Sequence, residues 1–342
     1  MPDVVCLRPR ADFDAVGVTP TEGLDIVYRA PLDADVGDLL ATARAVVIPA
    51  VGPALAAELF RGTTLQLVQI TGAGLDRVDQ SVLAAEGIAL ANVPGGSNTA
   101  LAEYVTTNAL ALSRGFFGAS GPLRDGDYIT HRAAMVAASL RGLGGLTVGL
   151  VGLGTIGLAV AERCHAMGAR IAYHDPQPPR DNAGLDRINA QPLSLDALLT
   201  TSDIVSLHLP LIDSTRNLMD RDRLAQMKPG AILINAARGG IVDEDALADG
   251  LREGRIGGAA VDVYESEPPP ADNPLFTLDA ATSARLILTP HIAGVSRQAS
   301  QNLFVQAWEN VTRVLIDDLP PRNAVRFIEP EETASPGDRG QP

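Results

Sequence analysis

The sequence predicts an α/β protein built on two doubly wound parallel sheets, and three observations carry that prediction. Short apolar runs alternate with helical stretches almost to the end of the chain, the pattern of strands joined by right-handed crossovers. The alternation occurs twice, with a fresh start at Leu146. The length of 342 residues suits two domains at roughly 100–200 residues each.

The first series places strands at Val4 to Leu7, Ile26 to Tyr28, Ala45 to Ile48, Leu65 to Ile70 and Ile88 to Asn92, with helices at Val36 to Ala43, Pro53 to Arg61 and Gln80 to Glu86. The second places strands at Thr147 to Val151, Arg170 to His174, Asp203 to Leu209, Ala231 to Asn235, Gly258 to Val263 and Leu286 to Thr289. Six strands with helices between them match a complete dinucleotide-binding sheet. The stretch Ser296 to Ile316, apolar at Leu303, Val305, Ala307, Trp308, Val311, Val314 and Leu315, has helical periodicity and is placed to return the chain to the first domain. The tail 331–342 is polar and rich in Pro and Gly, which predicts disorder.

Composition narrows the function. There are 27 basic and 41 acidic residues, a net charge of −14, which speaks against a nucleic-acid or anionic-membrane partner because both need a basic surface. Lys228 is the single lysine, so lysine-based Schiff-base chemistry has almost no candidate. Cys6 and Cys164 have no metal-ligand spacing, so no metal and a reducing compartment are expected. The run Gly142 to Ala161 has twenty residues without a charge, but seven are glycine, which suits a buried strand turning into a helix better than a membrane span. The N-terminus lacks the basic region and apolar core of a signal peptide, and a cytoplasmic location is expected.

The strongest local motif is Gly152-Leu-Gly154-Thr-Ile-Gly157, following an apolar run and opening a helix predicted at Ile156 to Met167. Its glycines permit a tight turn, close approach of a pyrophosphate and close helix packing, and the helix N-terminus offers N–H groups to the anion. Asp175 ends the next strand 21 residues after Gly154, placed to accept from ribose hydroxyls and to repel a 2′-phosphate. That favours NAD over NADP. Three later strands each deliver a reactive side chain at their carboxyl ends. They are Arg238, then Asp262 with Glu265 and Glu267, and then His291 after Leu286-Ile-Leu-Thr-Pro290. An arginine can grip a carboxylate bidentately, a histidine can move a proton, and a glutamate can orient and charge the imidazole. His208 also ends a strand and reads equally as a packing or a cofactor-edge residue, whereas His131, His165 and His174 read as structural.

With these residues in place the chain resembles the D-isomer-specific 2-hydroxyacid dehydrogenases, most of all the phosphoglycerate dehydrogenase and glyoxylate/hydroxypyruvate reductase branches. The resemblance runs from about Ala45 to Val325. It rests on Gly72-Ala-Gly-Leu-Asp-Arg-Val-Asp79, Asn92-Val-Pro-Gly95 with Ala102-Glu103, the glycine motif, Asn235-Ala-Ala-Arg-Gly-Gly-Ile-Val-Asp-Glu244, Ala260-Val-Asp-Val-Tyr-Glu-Ser-Glu-Pro268, Thr289-Pro-His-Ile-Ala-Gly294 and Pro321-Arg-Asn-Ala-Val325. It implies a Rossmann NAD-binding domain (100–294, with a dimerisation arm near Ala100 to Ala138) inserted into a flavodoxin-like substrate domain (1–99 and 295–330), with the active site in the cleft.

It further implies that Arg238 binds the substrate carboxylate and carbonyl, that His291 is the general acid in reduction, and that Glu267 raises the imidazole pKa. The backbone N–H groups of Ala73 and Gly74 would hold the substrate carboxylate. Cofactor contacts would come from Gly152, Gly154, Thr155, Ile156, Gly157, Asp175, His208, Leu209, Pro210, Thr215, Ala236, Asp262, His291 and Gly294, with Asp262 at the nicotinamide carboxamide. A homodimer is the usual assembly.

Departures from the family bear on the substrate. Relatives that act on phosphoglycerate place arginines near Ile48-Pro49-Ala50 and at Ile70-Thr71, where this chain has no basic residue. Arg77, on the far side of the glycine turn, is the nearest in sequence. The expected substrate is therefore a small unphosphorylated 2-keto acid of the glyoxylate/hydroxypyruvate kind, reduced to the D-2-hydroxy acid, with D-3-phosphoglycerate as the alternative. Glu267 and Ala73 disfavour the formate- and phosphite-oxidising chemistries of relatives that carry glutamine and lysine there. With only the short tail after Pro330, a regulatory C-terminal domain is not expected. A reading from another class is an NAD(H)-sensing corepressor-like binding protein.

Overall fold

The computed structural model describes residues 1–138, 140–177 and 183–327; the tail 331–342 lies outside the described residues. The chain divides into two compact units, Met1–Pro94 together with the chain from Gln301 onward, and Gly95–Ser300. The second unit thus interrupts the first in sequence.

The first unit holds strands β1 (Val4–Cys6), β2 (Ile26–Tyr28), β3 (Ala45–Ile48), β4 (Leu67–Ile70) and β5 (Ala89–Ala91). All pair in parallel in the order β2-β1-β3-β4-β5, the flavodoxin-like order. Every residue of β1, β3 and β4 is buried, because crossover helices cover both faces of a parallel sheet. Alternate residues face opposite layers. Val5, Val46, Ile48, Val68 and Ile70 pack with Phe60 and Leu83. Val4, Cys6, Ala45, Val47 and Leu67 pack with Phe13, Phe304 and Trp308. The last two belong to the helix Arg297–Leu315, whose aromatic rings lie 4.6 and 5.6 Å from that of Phe13. The predicted final helix does return the chain to the first sheet.

Two local expectations change here. The stretch Pro53 to Arg61 forms only a 3-10 turn, Ala57–Phe60. The Arg77 guanidinium takes the carbonyl of Pro53, the one that a helix beginning there would offer to the N–H of Ala57. A helix at Arg10–Val16 had no sequence prediction; it follows Pro9 and stops at Gly17, whose φ of 71° is left-handed. Seven residues with two buried positions give too little periodicity to read.

The second unit holds β6 (Thr147–Val151), β7 (Arg170–His174), β8 (Gln191–Pro192), β9 (Ile204–Leu207), β10 (Ala231–Asn235), β11 (Ile256–Val261) and β12 (Leu286–Leu288). They form one parallel sheet, β12-β11-β10-β9-β6-β7-β8. This is the dinucleotide-binding order with seven strands rather than the predicted six. The extra strand, β8, is a two-residue edge containing Pro192, which an edge tolerates. The uncharged run Gly142 to Ala161 becomes β6, the glycine turn and the start of the helix Thr155–Ala166, and no helix among the described residues is long and apolar enough to cross a membrane. Three helices precede β6, at Asn98–Arg114, Phe116–Arg124 and Tyr128–Ala137, and the last two bury none of their residues.

Candidate active site

The turn after β6 is shaped by its glycines. Gly152 has a φ of +92°, and a side chain there would run into the carbonyl of His208, while a Cβ on Gly157 would lie 2.6 Å from the carbonyl oxygen of Gly152. Those two glycines are demanded by the protein's own packing. Gly154 is different: a Cβ there would meet nothing within 4 Å, and it opens a helix that has no side-chain cap. Open space before uncapped N–H groups is what a phosphate requires. Asp175 stands beside this turn, its carboxylate accepting from the N–H of Leu153 at 2.6 Å and of Gln177 at 2.7 Å. A carboxylate has about four acceptor sites, so capacity remains for ribose hydroxyls. Thr155 is exposed and Ile156 half-buried at the same turn. These residues fit NAD(H).

Adjacent parallel strands release their loops side by side, and β10, β11 and β12 are adjacent. Arg238 follows β10, Asp262 and Glu267 follow β11, and His291 follows β12. The segment at Tyr264 lies directly on the Arg238 loop, since a side chain on Gly239 would collide with the Tyr264 carbonyl. His291 Nδ1 is 2.8 Å from Glu267 Oε2, and the other Glu267 oxygen accepts from the N–H of Tyr264 at 3.1 Å. Burial pushes the Glu267 pKa up, but the hydrogen bond from His291 and the charges of His291 and Arg238 outweigh it, holding the carboxyl below its ordinary range. An ionised carboxylate only accepts, so Nδ1 carries the hydrogen and Nε2 is left to exchange a proton. The structure therefore brings Arg238, Glu267 and His291 together.

Asp262 is fully buried and braces the histidine loop. It accepts from Thr289 Oγ1 at 2.6 Å and from the N–H groups of Ile292 and Ala293 at 2.8 Å each, and its carbonyl accepts from the N–H of His291. Because Thr289 donates to Asp262, it must accept from the Tyr104 hydroxyl, 2.7 Å away. Tyr104 and Thr289 were not read from the sequence, nor was Glu244, which accepts from the N–H of Glu265 and from Asn273. The only signal for Glu244 was its place in the Arg238 motif.

The remaining cofactor-side residues divide by role. His208 presses on Gly152 and Gly157, and burial drives its pKa down to about 4, so it is neutral at physiological pH. Leu209 also packs on Gly152. Pro210 and Thr215 share one turn, in which the Thr215 hydroxyl bonds the Pro210 carbonyl at 2.7 Å and accepts from the N–H of Ile212. Ala236 is half-buried after β10, and Gly294 faces Ser97.

In the first unit, Ala73 and Gly74 lie in the turn after β4 with N–H groups that have no described acceptor. The two stretches carry no base of their own, as the sequence reads, but two arginines from elsewhere in the unit reach them. Arg8 Nε donates to Thr71 Oγ1 at 3.2 Å, and Arg77 donates to the carbonyls of Pro49 at 3.1 Å and Pro53 at 2.8 Å. Arg8 is 63 residues from Thr71, so only the β1-β3-β4 adjacency reveals it.

The family model described as "D-isomer specific 2-hydroxyacid dehydrogenase, NAD binding domain" matches residues 106–293. The chain belongs to the D-isomer-specific 2-hydroxyacid dehydrogenase family. This dehydrogenase-family chain is 39% identical over 257 residues to the (S)-sulfolactate dehydrogenase of Chromohalobacter salexigens, covering 75% of this chain and 80% of the relative. It is 36% identical over 270 residues to the D-3-phosphoglycerate dehydrogenase of Archaeoglobus fulgidus, covering 78% of this chain but 49% of the relative, so it spans about half that enzyme's length. A solved D-lactate dehydrogenase from Treponema pallidum aligns with a TM-score of 0.75 at 29% identity over 95% of this chain and 99% of that one. The inserted unit of this family member is thus its NAD-binding domain.

Proposed function

We propose that the chain is an NAD(H)-dependent oxidoreductase that interconverts a small unphosphorylated 2-keto acid and its D-2-hydroxy acid. The observation that carries this reading is the 2.8 Å His291–Glu267 pair beside Arg238. NAD(H), when bound, supplies or accepts the hydride. Arg238 grips the substrate carboxylate and polarises the carbonyl. His291 Nε2 gives its proton to the carbonyl oxygen during reduction and takes it back during oxidation. Glu267 fixes the ring through Nδ1 and balances the imidazolium charge. Asp262, sealed from solvent, keeps the histidine loop in place rather than meeting the carboxamide itself. Loss of NADH absorbance with a panel of 2-keto acids tests the reading; tight NADH binding with no turnover on any of them would favour a sensor instead.

Asp175→Ala should weaken NAD more than NADP, because it removes both the ribose acceptor and the repulsion of a 2′-phosphate. Paired Kd measurements check this, and an unaltered NAD:NADP ratio would remove Asp175 from the ribose site.

We infer a homodimer formed through the arm helices. Ile129, Val136, Phe117 and Tyr128 are 81%, 65%, 62% and 61% exposed, large apolar side chains whose exposure on the arm helices points to an association surface, and His131 Nε2 is buried with no partner among the described residues. Sedimentation should give the mass of two chains for wild type and of one for Ile129→Asp; a monomeric wild type would refute the inference. A cytoplasmic setting agrees with the two buried free thiols of Cys6 and Cys164.

A further inference from the structure

Tyr264 lies against all three loops that carry the reactive side chains. Its carbonyl is on Gly239, next to Arg238. Its N–H donates to Glu267 Oε1 at 3.1 Å. Its hydroxyl donates to the carbonyl of Thr289 at 3.1 Å. That carbonyl also accepts, at 3.1 Å, from the N–H of His291, which it shares with the Asp262 carbonyl. His291 Nδ1 is in turn bonded to the other Glu267 oxygen at 2.8 Å. The contacts therefore close into a circuit that runs from Glu267 to Tyr264, to the Thr289 carbonyl, to His291 and back to Glu267. Hydrogen bonds joined in this way polarise and strengthen one another.

The circuit restrains a backbone that would not keep its shape unaided. His291 has a φ of 54°, a left-handed conformation that residues with side chains adopt at a cost and keep only where their surroundings over-determine it. Asp262 supplies one set of restraints, taking the N–H groups of His291, Ile292 and Ala293. Those bonds fix the histidine backbone to the start of the loop after β11, whereas Glu267 stands further along that loop. Tyr264 joins the two, with its N–H on the glutamate and its hydroxyl on the backbone beside the histidine. Its side chain suits a strut: it is 6% exposed and packs edge-on with Phe276 at 6.0 Å between ring centroids. Burial, with the charges of Asp262, Glu244 and Glu267, pushes the phenol up to about 12, so the hydroxyl keeps the proton it donates. A phenylalanine would fill the same space and leave the circuit open.

We propose that Tyr264 is a positioning residue for proton transfer, its hydroxyl holding His291 in the geometry with Glu267 that the reaction needs. The proposal rests on the dehydrogenase reading above. Its test is Tyr264→Phe in the full chain, assayed with whichever of glyoxylate, hydroxypyruvate and pyruvate the wild type reduces fastest. The kcat should fall by about tenfold, the scale of a buried acceptor left short of a donor and a reacting group left loose. KM for the keto acid and the Kd of NADH should stay at wild-type levels. The solvent deuterium isotope effect on kcat should rise, because a misplaced donor slows the proton step relative to the others. Tyr104→Phe is the control, since it removes a hydroxyl that bonds the Thr289 side chain outside the circuit, and it should cost less. A readout independent of turnover is the Nδ1 proton of His291 in protein labelled with 15N-histidine, identified by its loss in His291→Gln. Wild type should show it as a hydrogen-bonded signal, and Tyr264→Phe should shift or broaden it. Absence of that signal from wild type would overturn the proposal even if Tyr264→Phe did not fold. An unmoved signal or wild-type kcat in Tyr264→Phe would overturn it too, as would equal losses in the two phenylalanine variants or a fall in kcat matched by lost NADH affinity. Each of these leaves the dehydrogenase reading standing. If wild type reduces none of the three keto acids, that reading falls, and the proposal with it.

Discussion

His291→Ala should lower kcat by about two to four orders of magnitude, the usual contribution of a positioned proton donor, while NADH affinity stays at the wild-type level. His208 cannot substitute, because its pKa of about 4 leaves it without a proton to give at neutral pH. The partner variant Glu267→Gln should keep the fold and lose most of the rate, since a neutral amide cannot balance the imidazolium. The same pair sets an acid limit. The depressed Glu267 pKa means that the ionised, paired form is present above its ordinary value of 4.5 and is lost as pH falls through the depressed value. Both activity and the pair's contribution to stability should therefore fail on the acid side and below 4.5. Steady-state kinetics with a fluorescence titration of NADH checks these expectations; wild-type kcat in His291→Ala would remove the histidine from the chemistry.

Arg238→Lys should raise KM for the keto acid and lower kcat together, reducing kcat/KM by about two to three orders of magnitude, as expected when a fork of two charge-assisted hydrogen bonds becomes one point contact. The guanidinium is held by its own loop, with Nη1 on the Ala237 carbonyl at 2.7 Å and the Arg238 carbonyl tied to Asn235 at 3.0 Å, so a shorter or differently shaped cation cannot reproduce its plane. An increase in KM with kcat unchanged would assign Arg238 to binding alone, and an effect on neither would place it outside the site.

How much of this was legible in the sequence depends on the range of each interaction. The glycine turn, Asp175 and the strand-end placement of Arg238, Glu267 and His291 could be read because each is fixed by a few neighbouring residues and by the rule that ligands gather at carboxyl strand ends. The strands of the first unit were readable because burial on both faces makes them continuous apolar runs. What could not be read depends on contacts across the chain. Arg8 meets Thr71 over 63 residues, Tyr104 meets Thr289 over 185, and Arg77 takes the Pro53 carbonyl at the start of an expected helix. None of these leaves a periodic trace. The missed β8 is a different failure, because a two-residue edge strand is too short for any pattern.

The most direct test of the central claim is the fate of the hydride. Incubating the enzyme with a 2-keto acid it turns over and NADH fully deuterated at nicotinamide C4 should give a D-2-hydroxy acid carrying one deuterium at carbon 2, read by mass spectrometry and chiral chromatography. A product of the L configuration, or one without the label, would contradict the assignment.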